Sequence, residues 1–332
     1  MRKFIHLFSI LLVAALLAAV NTGCSAKAKK AYHLERANRY FDAGQYDQAE
    51  VEYINVLRND REDFQAISRL ADIYFEEGRL RHAAPFIFKG HQMATNDLDL
   101  NFKLGAVYLA SGKLKEAREE ANFVLDRNPQ DDHAPLLLAE SAMTPAAIEE
   151  AKQRLQMLSQ KSDGAVLQVA LGTIAIRTGD FKSAEAAIKR AQTLNPKSSA
   201  AWSALGALYL VQSNLTEAES ALKTAAELAP ARSQEKLHYA EFMVQKGDLA
   251  AGKHFLEDMV QKTPDYIPAL MELVKIAAAE NKYDDCAALL KKVLSRDPDN
   301  YDALLFSGQL KLAQGKIADA TVDLERMVKD YP

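Results

Sequence analysis

Ser199–Arg232 reads SAAWSALGALYLVQSNLTEAESALKTAAELAPAR. Trp202, Leu205, Gly206 and Tyr209 fall at i, i+3, i+4 and i+7, the spacing of one helix face. Gln212-Ser213-Asn214 breaks the pattern. Beyond it, Ala218, Leu222 and Ala225 fall at i, i+4 and i+7 of a second helix, and Pro230 sits where that helix can no longer continue. Gly206 and Ala218 carry little or no side chain, so the two helices can approach closely. One such hairpin cannot bury its apolar face alone and needs a neighbour on each side.

The same arrangement returns along the chain at a period of roughly 34 residues. W-x2-L-G-x2-Y, a later alanine and a terminal proline at that period resemble the tetratricopeptide repeat (TPR). The resemblance implies an all-α solenoid of about nine helix-turn-helix repeats wound into a right-handed superhelix. Repeat one spans Lys30–Asp63, with Tyr40, Gly44, Ala49 and Tyr53 in register. Repeat two, Phe64–Asp97, carries Leu70, Ala71, Tyr74, Gly78 and Ala83; Pro85 inside its second helix predicts a kink or a late start. Repeat three, Leu98–Asp131, has Leu104, Gly105, Tyr108, Gly112, Ala117 and Pro129. Repeat four, Asp132–Gly164, is one residue short, and Met143-Thr144-Pro145-Ala146 replaces the glycine turn, so any bend in the array is expected there. Repeats five to nine begin at Ala165, Ser199, Ser233, Ile267 and Tyr301. Residues 30–332 thus read as one array. Its regular last unit, with Ile317, Leu324, Met327 and Val328 on an uncovered edge, favours an array that continues past Pro332.

Residues 1–23 stand apart. Arg2 and Lys3 precede an almost unbroken apolar run, Phe4–Val20, then Asn21-Thr22-Gly23-Cys24. This is the anatomy of an export signal. A small residue before a cysteine resembles the bacterial lipobox, although Asn21 stands where that pattern has leucine. The resemblance implies lipidation of Cys24 and a short tether at 24–29 with Lys27 and Lys29. Ser25 after the cysteine favours, by the same resemblance, the periplasmic face of the outer membrane. An uncleaved anchor and ordinary cleavage are the competing readings, because so long an apolar run approaches a membrane span. The second cysteine, Cys286, has no partner if Cys24 is lipidated; it occupies the small helix-contact slot and reads as a packing residue.

The chain's net charge of -4 gives no basis for nucleic-acid binding. The seven histidines are scattered, without metal-ligand spacing, and no phosphate-binding or nucleophile motif occurs. No cofactor, metal or catalytic residue is expected. The acidic pairs Glu149-Glu150 and Asp284-Asp285 read as helix starts, where carboxylates complement the dipole.

In TPR arrays the first helix of each repeat lines the concave side. The twelfth slot of the repeats holds Phe41, Phe75, Leu109, Met143, Ile176, Leu210, Val244, Ala278 and Leu312, all apolar. The fifth slot, on the same face, is Leu34, Ser68, Phe102, Leu136, Val169, Ser203, Leu237, Met271 and Leu305. Such a stripe either accepts an extended peptide or partner helix, or packs helix to helix. The candidate site is its bulky N-terminal part: Phe41, Asp42, Asp72, Phe75, Glu76 and Phe102, extended by Leu109 and Met143. The carboxylate clamp by which some TPR domains hold chaperone tails is not expected. Asn38 fits one of its slots, but Leu34 and Ser68 occupy the lysine positions.

Together these features resemble exported bacterial TPR lipoproteins, weakly those of exopolysaccharide and exosortase-linked systems. The implied function is a non-catalytic, membrane-tethered scaffold of the cell envelope that presents its groove to proteins of an export or assembly machine. Direct glycan or peptidoglycan binding, and the recognition part of a longer enzyme, are the alternatives.

Overall fold

The computed structural model describes residues 27–330, which form eighteen helices and no strand. The calls on Cys24 and on residues 1–23 lie outside the described residues. The helices pair into nine hairpins. They are α1 (27–42) with α2 (Tyr46–Asn59), α3 (Phe64–Glu76) with α4 (Leu80–Met93), and α5 (Leu98–Ala110) with α6 (Leu114–Arg127). Next come α7 (Ala134–Ser141) with α8 (Pro145–Ser159), α9 (Ala165–Arg177) with α10 (Phe181–Leu194), and α11 (Ser199–Val211) with α12 (Leu215–Leu228). The last three are α13 (Gln234–Gln245) with α14 (Leu249–Lys262), α15 (Ile267–Ala279) with α16 (Tyr283–Arg296), and α17 (Tyr301–Ala313) with α18 (Ile317–Asp330). Residues 27–29, read above as tether, already belong to α1.

Local chemistry sets these boundaries. The residue before a first helix caps it: Asp63, Asp97, Ser198 and Asn300, each the last of its repeat, and Ser233, the first of repeat seven, each accept a hydrogen bond from a backbone N–H three residues on. Within the hairpins, Gly44, Gly78, Gly112, Gly179, Gly247 and Gly315 take positive φ at the turn. The sixth and eighth turns use Ser213 (φ 62°) and Asn281 (φ 57°) there instead. Close approach follows the small residues. A Cβ on Gly206 would lie 2.6 Å from Leu222 Cγ, and one on Gly308 2.8 Å from Leu324 Cδ2.

Apolar side chains form successive clusters along the array, not one central core. Tyr53, Leu70 and Ile87 belong to the first; Leu125, Leu138 and Leu155 centre another; Val274, Leu290 and Val293 a later one. Cys286 lies in that later cluster, 1% exposed, and burial pushes its thiol pKa up, as suits a packing residue.

Two expectations need correction. Helix α4 starts at Leu80 and runs on through Pro85 without a late start. Pro85 is exposed, so water can reach the carbonyl its missing N–H leaves behind. Glu149 and Glu150 lie beyond the first turn of α8, because Pro145 opens that helix earlier; Asp284 and Asp285 do sit in the first turn of α16.

Repeat four is the irregular unit. Helix α7 has only 8 residues. Two arginines take over its frayed end: Arg118 Nη1 donates to Ser141 O at 2.8 Å, and Arg177 Nη1 donates to Ala139 O at 2.7 Å and Ala142 O at 2.6 Å. Those carbonyls have no next helical turn to bond, so the side chains stand in for it.

The array also meets itself, which nothing in the sequence announces. Ile267 N donates to Glu77 O at 3.1 Å, joining the α14–α15 loop to the α3–α4 turn. Arg296 pairs with Asp47 through both terminal nitrogens, at 2.8 and 2.9 Å. Arg81 pairs with Asp299, and Arg232 stacks over the Tyr46 ring. The turn edge of repeats one and two therefore rests on the loops that join repeats six to nine. Two coils of the superhelix touch along this seam.

Candidate interaction groove

The twelfth-slot side chain is the penultimate residue of the first helix in eight of the repeats; in the fourth, Met143 lies just beyond the shortened α7. Of the nine such side chains, none is buried. Met143 is 58% exposed, Leu312 48% and Leu210 37%, whereas Phe41, Phe75, Leu109, Ile176, Val244 and Ala278 are half-buried. The fifth slot differs: Val169, Leu237 and Met271 are buried in the packing between repeats. The remaining fifth-slot residues are half-buried like most of the twelfth, so both rows pack helix to helix and the twelfth is the more open of the two.

At the N-terminal end the aromatics hold one another. Phe75 meets Phe102 edge-on at 6.2 Å, Phe102 stacks on His133 at 4.9 Å, and Phe41 touches Tyr46 and Tyr53. Arg69 lies over the Phe41 ring at 4.4 Å and pairs with Asp72 at 3.2 Å. Asp72 also pairs with Lys103, whose ammonium reaches Asp99 at 2.5 Å. Burial presses Lys103 towards its neutral form, but the two carboxylates outweigh it and hold its pKa above the ordinary value. Asp72 is therefore an anchor within the wall. Asp42 and Glu76 are exposed and give this end of the groove its negative face.

Sequence reasoning missed a second polar group further along. Glu140 is exposed at the surface, yet protein crowds its carboxyl. That crowding raises its carboxyl pKa; Arg177 offsets part of the effect and Glu235 adds to it. Glu235 in turn accepts from Ser199 Oγ at 3.0 Å. Repeats four to seven thus share one polar rim, which only the superhelical path assembles. Asn38, the one clamp-like residue, accepts hydrogen bonds from Tyr53 and Gln65.

At the seam, His82, Asp297 and Asp299 lie close enough together to suggest metal ligands. The ring geometry points elsewhere. His82 Nδ1 is 3.1 Å from Asp297 and Nε2 is 3.7 Å from Asp299, so each nitrogen faces a different carboxylate and the two carboxylates do not converge on one nitrogen.

Paired antiparallel helices stacked through a repeating small-residue contact define a helical-repeat solenoid. Two sequence signatures described as tetratricopeptide repeat match the chain, one over residues 34–87 and 169–233 and the other over 277–332, together more than half of it. The chain belongs to the tetratricopeptide repeat family, whose members mediate protein–protein interactions and are typically non-catalytic. It is 21% identical over 255 residues to the TPR repeat-containing protein YpiA of Bacillus subtilis (strain 168), covering 75% of this chain and 60% of that protein. It is 28% identical over 123 residues to Superkiller complex protein 3 of Homo sapiens, covering 37% of this chain but 8% of that protein. The chain thus spans less than two thirds of these relatives' lengths. Among solved structures, TTC0263, a thermophilic TPR protein of Thermus thermophilus, aligns with a TM-score of 0.46 at 23% identity, over 55% of this chain and 99% of that one. Yeast Tom70 aligns with a TM-score of 0.44 at 16% identity, over 91% of this chain and 77% of that one.

Proposed function

We propose that this protein is a non-catalytic adaptor of the bacterial cell envelope, lipid-anchored through Cys24, that holds an apolar segment of an envelope protein along its groove. The observation that carries the reading is the twelfth-slot ladder, of which Met143, Leu210 and Leu312 are exposed and none of the other six is fully buried. A row of that length and spacing suits an extended peptide or an amphipathic helix. The exposed Asp42 and Glu76 beside it favour a partner with basic flanks and disfavour acidic tails, in keeping with the filled Asn38 slot. The export and lipidation part rests on residues 1–24 alone, and the machine served is taken as an export or assembly system of the exopolysaccharide or exosortase kind. The periplasmic face of the outer membrane is the proposed location.

Cross-linking in intact cells with capture of the tagged chain tests this reading. Met143→Glu with Leu210→Glu is the variant of choice, since both side chains are exposed and the fold tolerates the charge. Envelope proteins captured by the parent and lost in the variant are the expected result. The same proteins captured by both would move the site off the ladder. Polysaccharide without protein would overturn the adaptor reading in favour of glycan binding. Cys24→Ala should release the chain from the membrane fraction; retention there would refute the lipid anchor.

A further inference from the structure

The seam between the two coils is built from charges that do not balance. On the N-terminal side, α2 brings Asp47 and Glu50, and the α3–α4 turn with the start of α4 brings Glu77, Arg79, Arg81 and His82. On the opposite side the loops bring Arg232 and Asp265, then Arg296, Asp297 and Asp299. Six carboxylates thus face four guanidinium groups and one imidazole. Glu76 adds a further negative charge beside Tyr46 and Tyr266. Several of these groups are buried: Glu77 is 0% exposed, Asp297 3% and Asp265 7%. Glu77 Oε1, Arg79 Nε and Asp265 Oδ1 are buried without a hydrogen-bond partner among the described residues. Such under-satisfied burial is costly and makes the contact easy to reverse.

We propose that this seam is a proton-operated clasp, closed when Glu77 carries a proton and released when it loses it, so that pH sets how open the groove-bearing coil is. A proton on Glu77 removes a negative charge from a site that already holds Glu50 and Asp265. That proton reduces the excess of negative charge across the seam.

The direction follows from Glu77. Burial pushes its carboxyl up to about 7 from 4.5, against the pull of Arg79, with Asp265 and Glu50 adding to the rise. Opening the seam returns it to water and to its ordinary value. The closed form therefore binds the proton more tightly, and that contribution is fully present below the ordinary value and lost as pH rises through about 7. A shift of this size bounds the change in the closed-to-open ratio at about two orders of magnitude.

The test measures a distance across the seam in the full chain. Val51 and Ser295 are exposed and flank the Asp47–Arg296 pair on either side. Spin labels at Val51→Cys and Ser295→Cys, with Cys24 and Cys286 replaced by alanine, report the separation by pulsed dipolar spectroscopy between pH 5.5 and 8.5. The expected result is one short distance in mild acid and a growing longer population above neutrality, with helix content unchanged by circular dichroism. Glu77→Gln, a neutral side chain of the same shape, should hold more of the short population at pH 8.5. A distance that ignores pH, a variant that keeps the parent's full pH response, or lengthening that tracks loss of helix would each overturn the clasp.

Discussion

Gly206 is the position where close helix approach can be tested most directly. A Cβ there would stand 2.6 Å from both Cγ and Cδ2 of Leu222, and Leu222 is only 3% exposed. The methyl cannot fit without moving Leu222 by about 1 Å, an overpacking whose cost is about 1–3 kcal/mol. Against this, alanine gains about 1 kcal/mol over glycine within a helix. Gly206→Ala should thus destabilise the parent by roughly 0–2 kcal/mol. In a Leu222→Ala background the space is empty and the same change should stabilise by about 1 kcal/mol. The sign reversal is the decisive quantity, with a coupling of about 1–3 kcal/mol. Urea unfolding followed by circular dichroism measures all four proteins, fitted to a nearest-neighbour repeat scheme because solenoids need not unfold in one step. If Gly206→Ala stabilises both backgrounds equally, the hairpin contact is not what holds glycine at this position.

Two further predictions concern the turns. Ser213 carries a side chain at φ 62°, so Ser213→Gly should stabilise the sixth hairpin by about 1 kcal/mol, read as a higher urea midpoint; no gain would mean the serine's own contacts offset the strain. Arg177→Met should leave the Ala142 carbonyl without the guanidinium donor and Ala139 O with only the Ala142 N–H, and cost about 1–3 kcal/mol, with faster hydrogen exchange confined to α7 and its neighbours. Unchanged exchange there would show that water replaces the guanidinium.

Much of this architecture is written locally. Trp202, Leu205, Gly206 and Tyr209 announce one helix face, and the caps Asp63, Asp97, Ser198 and Asn300 fix where first helices begin, because both depend only on neighbours a turn away. The repeat boundaries followed from the same short-range rules, including the odd fourth unit. The groove was legible in part. The apolar identity of the twelfth slot is a property of sequence; that Met143 and Leu210 are exposed while Val169 and Leu237 are buried depends on how one hairpin leans on the next. At the C-terminal edge, Ile317 and Val328 are exposed as expected, and Val322 joins them, whereas Leu324 packs on Gly308 and Met327 is half-buried.

What sequence alone determined is thus the unit: a helical hairpin with a close contact, a turn and a cap, repeated nine times. What the tertiary structure decided is everything that depends on summing small rotations between units. Glu140 comes near Glu235 only after several repeats have turned the chain, and Asp47 meets Arg296 across 249 residues. No local pattern encodes such contacts, because a few degrees' change per repeat would carry the two coils apart while leaving every hairpin intact.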